Sequence, residues 1–330
     1  MSQPDPIQTL LSLTTAYWVS RCLHVAAELG VADILGDEPQ TAEALAATLG
    51  VKAEPLMRVL RCLTNHGVFE MQGDRFAHNG ASRLLADDAR PSVRSLARMM
   101  GLRPHWDAYG ALEETVRTGK PGIEAATGGG FFEYLGQNPD HARIFDEAMT
   151  AKSLGQIGPA LAAYDFTTFH TIGDIGGGAG HMLKAVLETA PNAQGVLFDL
   201  PEVVRRAAEQ PHPRVRYVGG SFFDDPIPPC DAYLMMTVLH DWSDAESVQI
   251  LAAIRRTAPV GAKLLLVEAV IGLQEGFDFG KDLDIEMLVM TTGRERTADD
   301  WTRVLAEGGW RLTRIVPARG MSAVIEAELV

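Results

Sequence analysis

Apolar residues recur at helical spacing from residue 7 to 29, at Leu10, Leu13, Tyr17, Leu23, Val25 and Leu29. This predicts an amphipathic helix that Gly30 stops. TAEALAATLG follows, with Thr41 as a natural N-cap, acidic Glu38 and Glu43 near the helix start, and Gly50 as the stop. The next helix is predicted over Ala53 to Asn65. Beyond it, VFEMQGDRFAHN alternates around Gly73-Asp74, which reads as a hairpin. Helix, turn, helix and hairpin together make a winged-helix arrangement.

Residues 91 to 165 keep a mostly helical pattern, broken at Pro104, at Gly119 to Gly122 and at Gly128 to Gly130. The stretch is rich in aromatics and methionine, including His105, Trp106, Tyr109, Phe131, Phe132, Tyr134, Phe145 and Met149. Such density suits an apolar pocket as well as ordinary helix core. From residue 170 the pattern changes again. Strands are predicted at 170–175, 195–199, 214–218, 231–236, 262–268, 310–316 and 321–327, and helices at 180–190, 201–210, 244–257 and 297–307. Alternation of this kind implies a mostly parallel sheet with helices on both faces. The last two strands have no helix between them, which predicts one antiparallel strand at that end. The pattern divides the chain at residue 97: a winged-helix region, 1–97, then an α/β domain, 98–330, whose segment 98–165 is helical.

The α/β part begins at His170 to His181, HTIGDIGGGAGH. A short apolar strand runs into Gly176, Gly177, Gly178 and Gly180, and a helix follows. A ligand at such a turn sits at the strand's C-terminal end, where glycines admit backbone closely and the helix start offers unpaired N–H groups. Asp199 closes the run GVLFDL about twenty residues on, where an acid accepts hydrogen bonds from ribose hydroxyls. That suits either NAD or S-adenosylmethionine. The dinucleotide pattern GxGxxG would need a glycine where His181 stands, and no GK[ST] follows for a nucleotide triphosphate.

Charge narrows the partners. The chain carries 29 Lys and Arg against 43 Asp and Glu, a net charge of −14. The first 90 residues are themselves acidic, with seven basic and eleven acidic side chains. A winged helix of this charge is a poor reader of nucleic acid. An interface with a second copy of the chain, through the stripe at 7–29, is expected instead. Cys22, Cys62 and Cys230 are scattered and form no CxxC, as in a reducing compartment. MSQPDPIQ has no signal-peptide pattern and no apolar run is long enough for a bilayer, so a soluble cytoplasmic protein is expected.

Three titratable residues stand out. His240 follows the strand DAYLMM in the segment LHDWSD, on the ligand side of the sheet, where a histidine can act as general base or simply cap a helix. Glu268 lies at the end of the strand KLLLVE, an expensive place for a lone carboxylate. Glu295 lies in GRERT, which reads as a loop, so a solvated acid is expected there. No run of His, Asp and Glu has the sequence spacing of a metal site.

With these motifs in place, the chain resembles the class I S-adenosylmethionine-dependent O-methyltransferases of the plant caffeate and bacterial antibiotic-tailoring type. The resemblance rests on DIGGGAGH, FDLP at 198–201, GGSFF at 219–223, LHDWSD at 239–244 and GRERT at 293–297, in that order, and covers nearly the whole chain. It implies a Rossmann-like seven-stranded methyltransferase sheet behind a winged-helix, mostly helical dimerisation domain. It implies that Asp174, Gly176, Gly178, Asp199, Leu200, Ser221, Phe222 and Met236 meet S-adenosylmethionine or its product S-adenosylhomocysteine. Plant members carry an aspartate at the place of Ser221 and a lysine at that of Met236. It implies His240 as general base, Glu268 and Glu295 as the acids that orient it, Phe145 and Met149 at the acceptor, and no metal. The expected reaction is methylation of a hydroxyl on an aromatic or other apolar small molecule in secondary metabolism. N-methylation of an aromatic nitrogen heterocycle, or a relative that binds the cofactor without methylating, are the alternatives. A non-enzymatic winged-helix regulator fits the acidic surface poorly.

Overall fold

The structure is a computed structural model that describes residues 5–320 and 322–330. By compactness the chain forms two units: Met1–Trp106 with Leu135–Ala151, and Asp107–Tyr134 with Lys152–Val330.

The first unit opens with the helix Pro6–Leu29, capped by the Asp5 carboxylate on Ile7 N–H and ended by Gly30 in the left-handed region. Thr41 caps Ala42–Leu49 through Ala44 N–H. Leu56, Leu60 and Leu63 form the buried stripe of Ala53–Asn65. β2 (Glu70–Gln72) and β3 (Arg75–Ala77) form the predicted hairpin, and β1 (Gln40–Thr41), which the sequence pattern does not predict as a strand, pairs with β3 to give the order β1-β3-β2. Leu35, Leu45, Leu60, Leu63, Phe69 and Phe76 fill the core beneath them. The winged-helix pattern is therefore observed. The first helix is only partly spent on that core. Ala26 and Ala27 are buried, whereas Leu10, Leu13 and Tyr17 are 66%, 68% and 56% exposed, together with Ile7, Leu11 and Trp18.

The second unit holds a seven-stranded sheet made of β4 (Thr171–Ile175), β5 (Gln194–Asp199), β6 (Val215–Gly219), β7 (Ala232–Met236), β8 (Lys263–Ala269), β9 (Trp310–Pro317) and β10 (Ser322–Leu329). Its order is β6-β5-β4-β7-β8-β10-β9. The chain reverses direction across the sheet on either side of β4, so the glycine turn after β4 lies at the switch point where such sheets bind ligands. The pairs from β6 to β8 are parallel. β10 runs antiparallel to both β8 and β9, with Ala323 opposite Glu268. The one antiparallel strand is thus inserted second from the edge. Met321, at the start of the strand predicted over 321–327, lies outside the described residues. β7 and β8 are buried on both faces, as continuous apolar runs require.

Among the described residues from 170 onward, one α-helix is not predicted by the sequence pattern. Phe279–Met290 is helical, capped by Asp278 on Gly280 N–H. Its apolar residues are interleaved with Asp282, Asp284 and Glu286, which blurs the periodicity. Among the described residues no helix is long and apolar enough to cross a membrane.

Candidate functional site

The glycine turn after β4 has the shape of a cradle. Gly176 and Gly178 take φ of 71° and 58°. A Cβ on Gly178 would meet open space, whereas one on Gly177 would collide with the Asp174 carboxyl. Asp174 is buried beneath the turn, and its Oδ2 has no hydrogen-bond partner. Burial pushes its carboxyl up to about 7, and the neighbouring Asp199 adds to the rise. Asp199, at the end of β5, accepts Gly178 N–H at 2.8 Å and Leu200 N–H at 2.7 Å. Its carboxyl is raised by burial and held back by those two N–H groups. Leu200 is exposed beside it. Phe222 lies against the turn, since a Cβ on Gly176 would come within 3.8 Å of its ring. Ser221 Oγ accepts Phe223 N–H, and Met236 ends β7 half-buried. An orphaned buried carboxylate oxygen beneath an open backbone cradle, with an acid at the next strand end, fits a ligand bearing a ribose and a positive charge. S-adenosylmethionine has both.

The second cluster lies four residues past β7. Thr237 turns the chain out of the strand with φ of 50°, an uncommon value for a β-branched residue. Its N–H donates to Val267 O at 3.0 Å. A single 3-10 turn, Leu239–Asp241, then carries His240 into the interior. His240 Nδ1 lies 2.8 Å from Glu295 Oε1 and 3.8 Å from Glu268 Oε2. His240 Nε2 lies 3.6 Å from Asp241 Oδ1.

The two glutamates are held differently. Glu268 Oε1 accepts the N–H groups of Val238 and Leu239 at 2.9 and 3.0 Å, so it anchors the start of the turn. Glu295 faces the imidazole, and its own N–H donates to Asp284 Oδ1 at 2.7 Å. The expectation that Glu295 is solvated is overturned: it is 0% exposed. The segment that carries it packs directly on the histidine turn. Arg294 N–H donates to His240 O, and a Cβ on Gly293 would overlap that same oxygen. Burial pushes the Glu295 carboxyl up to about 7, with Lys152 opposing the rise. Burial raises Glu268 as well, opposed chiefly by His240.

His240, Glu268 and Glu295 bring donor atoms within 4.8 Å of one another. Sequence spacing hid this closeness, because three separate segments supply it. It follows from the hydrogen bond between His240 and Glu295, and one oxygen of Glu268 is already occupied by backbone N–H groups.

Of the two acceptor candidates, Phe145 and Met149 sit on the helix Pro139–Ala163. They pack with Met99, Ile144 and Ala148 in the first unit. Beside the histidine turn the structure adds an aromatic group that the sequence reading did not single out. Trp242 stacks on Phe132 at 6.2 Å and meets Phe222 and Phe223 edge-on at 5.6 and 4.9 Å. Trp242 stands inside LHDWSD, but its ring partners come from distant segments, so no local pattern reveals them.

Known proteins resemble this chain in sequence and in fold. The model of the O-methyltransferase domain matches residues 109–311, and that of the O-methyltransferase dimerisation domain matches residues 11–88. The chain is 38% identical to a phenazine O-methyltransferase of Lysobacter antibioticus, over 96% of this chain and 95% of that one. It is 35% identical to an 8-amino-8-demethylriboflavin N,N-dimethyltransferase of Streptomyces davaonensis, over 93% and 91%. The crystal structure of human N-acetylserotonin methyltransferase in complex with S-adenosylmethionine superposes with a TM-score of 0.91 at 26% identity, covering 100% of this chain and 99% of that one. The cradle, the sheet and these likenesses lead to one conclusion: the chain belongs to the O-methyltransferase family, whose members use S-adenosylmethionine as methyl donor.

Proposed function

We propose that this methyltransferase moves the methyl group of S-adenosylmethionine to a hydroxyl of an aromatic or other apolar small molecule of secondary metabolism, with His240 as general base. The observation that carries the reading is the buried His240–Glu295 pair at 2.8 Å, at the ligand side of the sheet. The cofactor supplies an electrophilic methyl on a sulfonium, which needs little activation. A phenol, by contrast, titrates near ~10 and is mostly protonated at neutral pH. In this reading His240 Nε2 takes the hydroxyl proton while the oxygen bonds to the methyl carbon and the carbon–sulfur bond breaks. A base so placed is worth ~10²–10⁴ in rate. Glu295 fixes the imidazole and favours its charged form as the proton arrives. Glu268 holds the turn beneath it. No step calls for a metal.

Asp174, Gly176, Gly178, Asp199, Leu200, Ser221, Phe222 and Met236 would line the cofactor. Phe145 and Met149 would meet the acceptor. We also infer a homodimer that covers the exposed face of Pro6–Leu29. The match to a dimerisation domain and the run of exposed apolar residues support it. Residues 1–97 would serve dimerisation and residues 98–330 methyl transfer.

The N,N-dimethyltransferase relative favours a second reading, transfer to nitrogen. Incubation with the labelled methyl donor and matched panels of phenols and aromatic amines tests the two. Label on phenols supports the first reading, label on amines alone supports the second, and label on neither overturns both.

A further inference from the structure

Arg296 has no part in the reading above, yet it is fully buried. A buried guanidinium is expensive unless its N–H groups are matched. Here Nη1 donates to Leu239 O at 2.8 Å, Nη2 to Trp242 O at 2.9 Å and Ser247 Oγ at 3.0 Å, and Nε to Asp244 Oδ1 at 2.9 Å. The guanidinium also lies 5.1 Å from the centroid of the Trp301 ring. The Leu239 and Trp242 carbonyls bracket His240, so one planar fork grips both ends of the turn that carries it. The Arg296 backbone is fixed in turn, its carbonyl accepting Ile271 N–H at 3.0 Å. Its chain neighbour is Glu295, the partner of the imidazole.

We propose that Arg296 is a positioning residue for proton transfer: it locks the His240 turn and the Glu295 segment together, so that the imidazole presents one nitrogen to Glu295 and the other to the acceptor. This inference rests on His240 being the base. Several charged groups surround the pair. Glu268 faces it from β8, Glu295 and Arg296 from the segment after Phe279–Met290, and Asp241 from its own turn. Asp284 and Lys152 act on Glu295 from the helices Phe279–Met290 and Pro139–Ala163. Arg296 is the cation buried among them.

The test compares Arg296→Lys, Arg296→Gln and His240→Ala with the wild type, using an acceptor that the wild type methylates. Melting temperature, S-adenosylhomocysteine affinity, and kcat and KM from pH 6 to 9 are measured for each. Lysine keeps the charge but lacks the fork. Arg296→Lys is expected to bind S-adenosylhomocysteine as the wild type does and to keep its KM, while kcat falls about 10- to 100-fold through lost alignment. The acid limb of its rate profile stays in place. Arg296→Gln is expected to lose as much, and its acid limb moves to higher pH because a positive charge beside the proton-accepting cluster is gone. If Arg296→Gln does not fold, the split between kcat and KM in Arg296→Lys decides alone. Two results overturn the inference: folded variants that melt earlier but keep wild-type kcat and pH profile, or cofactor affinity lost in step with kcat. If His240→Ala keeps full activity, the base reading itself falls. If His240→Ala loses activity and the Arg296 variants do not, only the role of Arg296 falls.

Discussion

Glu268 and Glu295 both border His240, but the bonds they make give them different work, and substitution separates the two. Glu268→Gln keeps an oxygen for Val238 and Leu239 N–H and removes a buried charge, whereas Glu268→Ala orphans both N–H groups at a cost of about 1–3 kcal/mol each. Thermal unfolding should therefore rank Ala well below Gln. Glu295→Gln should lower kcat at pH 7 about 10-fold or more, since the developing imidazolium loses its charged partner. Equal kcat losses in the two Gln variants would contradict this division. Asp174 offers a pH test. Its carboxyl is raised from an ordinary 3.8 to about 7. Folding therefore favours the protonated form. The associated stability is present below the ordinary value and lost as pH rises through 7, by an amount on the order of a few kcal/mol. Asp174→Asn should raise the melting temperature of the cofactor-free protein at pH 8 and progressively less toward pH 4. A gain independent of pH would count against the buried charge as its cause.

Elements with a single strong period were readable from the sequence. Leu56, Leu60 and Leu63 mark Ala53–Asn65, and the alternation around Gly73 marks the hairpin. The apolar runs of β7 and β8 could only be buried strands. Phe279–Met290 was not readable, because its acids sit among its apolar residues and what makes it a helix is packing in the folded unit. For the same reason GRERT passed for a solvated loop. Nothing local says that Glu295 meets a histidine and Arg296 grips two carbonyls, since both partners come from a distant turn. The exposed face of Pro6–Leu29 carries its own prediction. Leu13→Asp puts a charge in a 68%-exposed apolar face and should convert a dimer to monomer in light scattering without unfolding the winged helix. A wild type already monomeric at micromolar concentration would remove the interface.

At the scale of the whole molecule, the α/β class, the seven strands and the acidic character are legible without the fold, because hydrophobic period and charge are properties of the chain. Which strand ends face a common site depends on sheet order, which needs the fold. The cofactor links to stability at this scale. A ligand that binds only the folded protein stabilises it by about 2.7 kcal/mol at one hundred times its Kd. S-adenosylhomocysteine should therefore raise the melting temperature. Asp199→Ala should cut that rise, since binding loses about 1.5–3 kcal/mol with the charged acceptor. An unchanged rise in the variant would take Asp199 out of the cofactor site.

The proposed role of His240 is to accept the proton of a hydroxyl acceptor, and the rate profile of His240→Ala from pH 6 to 10 tests it most directly. With a phenol as acceptor, the variant is expected to bind S-adenosylhomocysteine like the wild type and to lose about 10²-fold or more in kcat at pH 7. The deficit should shrink toward pH 10 as the phenol ionises unaided. A variant that keeps wild-type kcat at pH 7, or whose deficit is the same at every pH, would contradict the account.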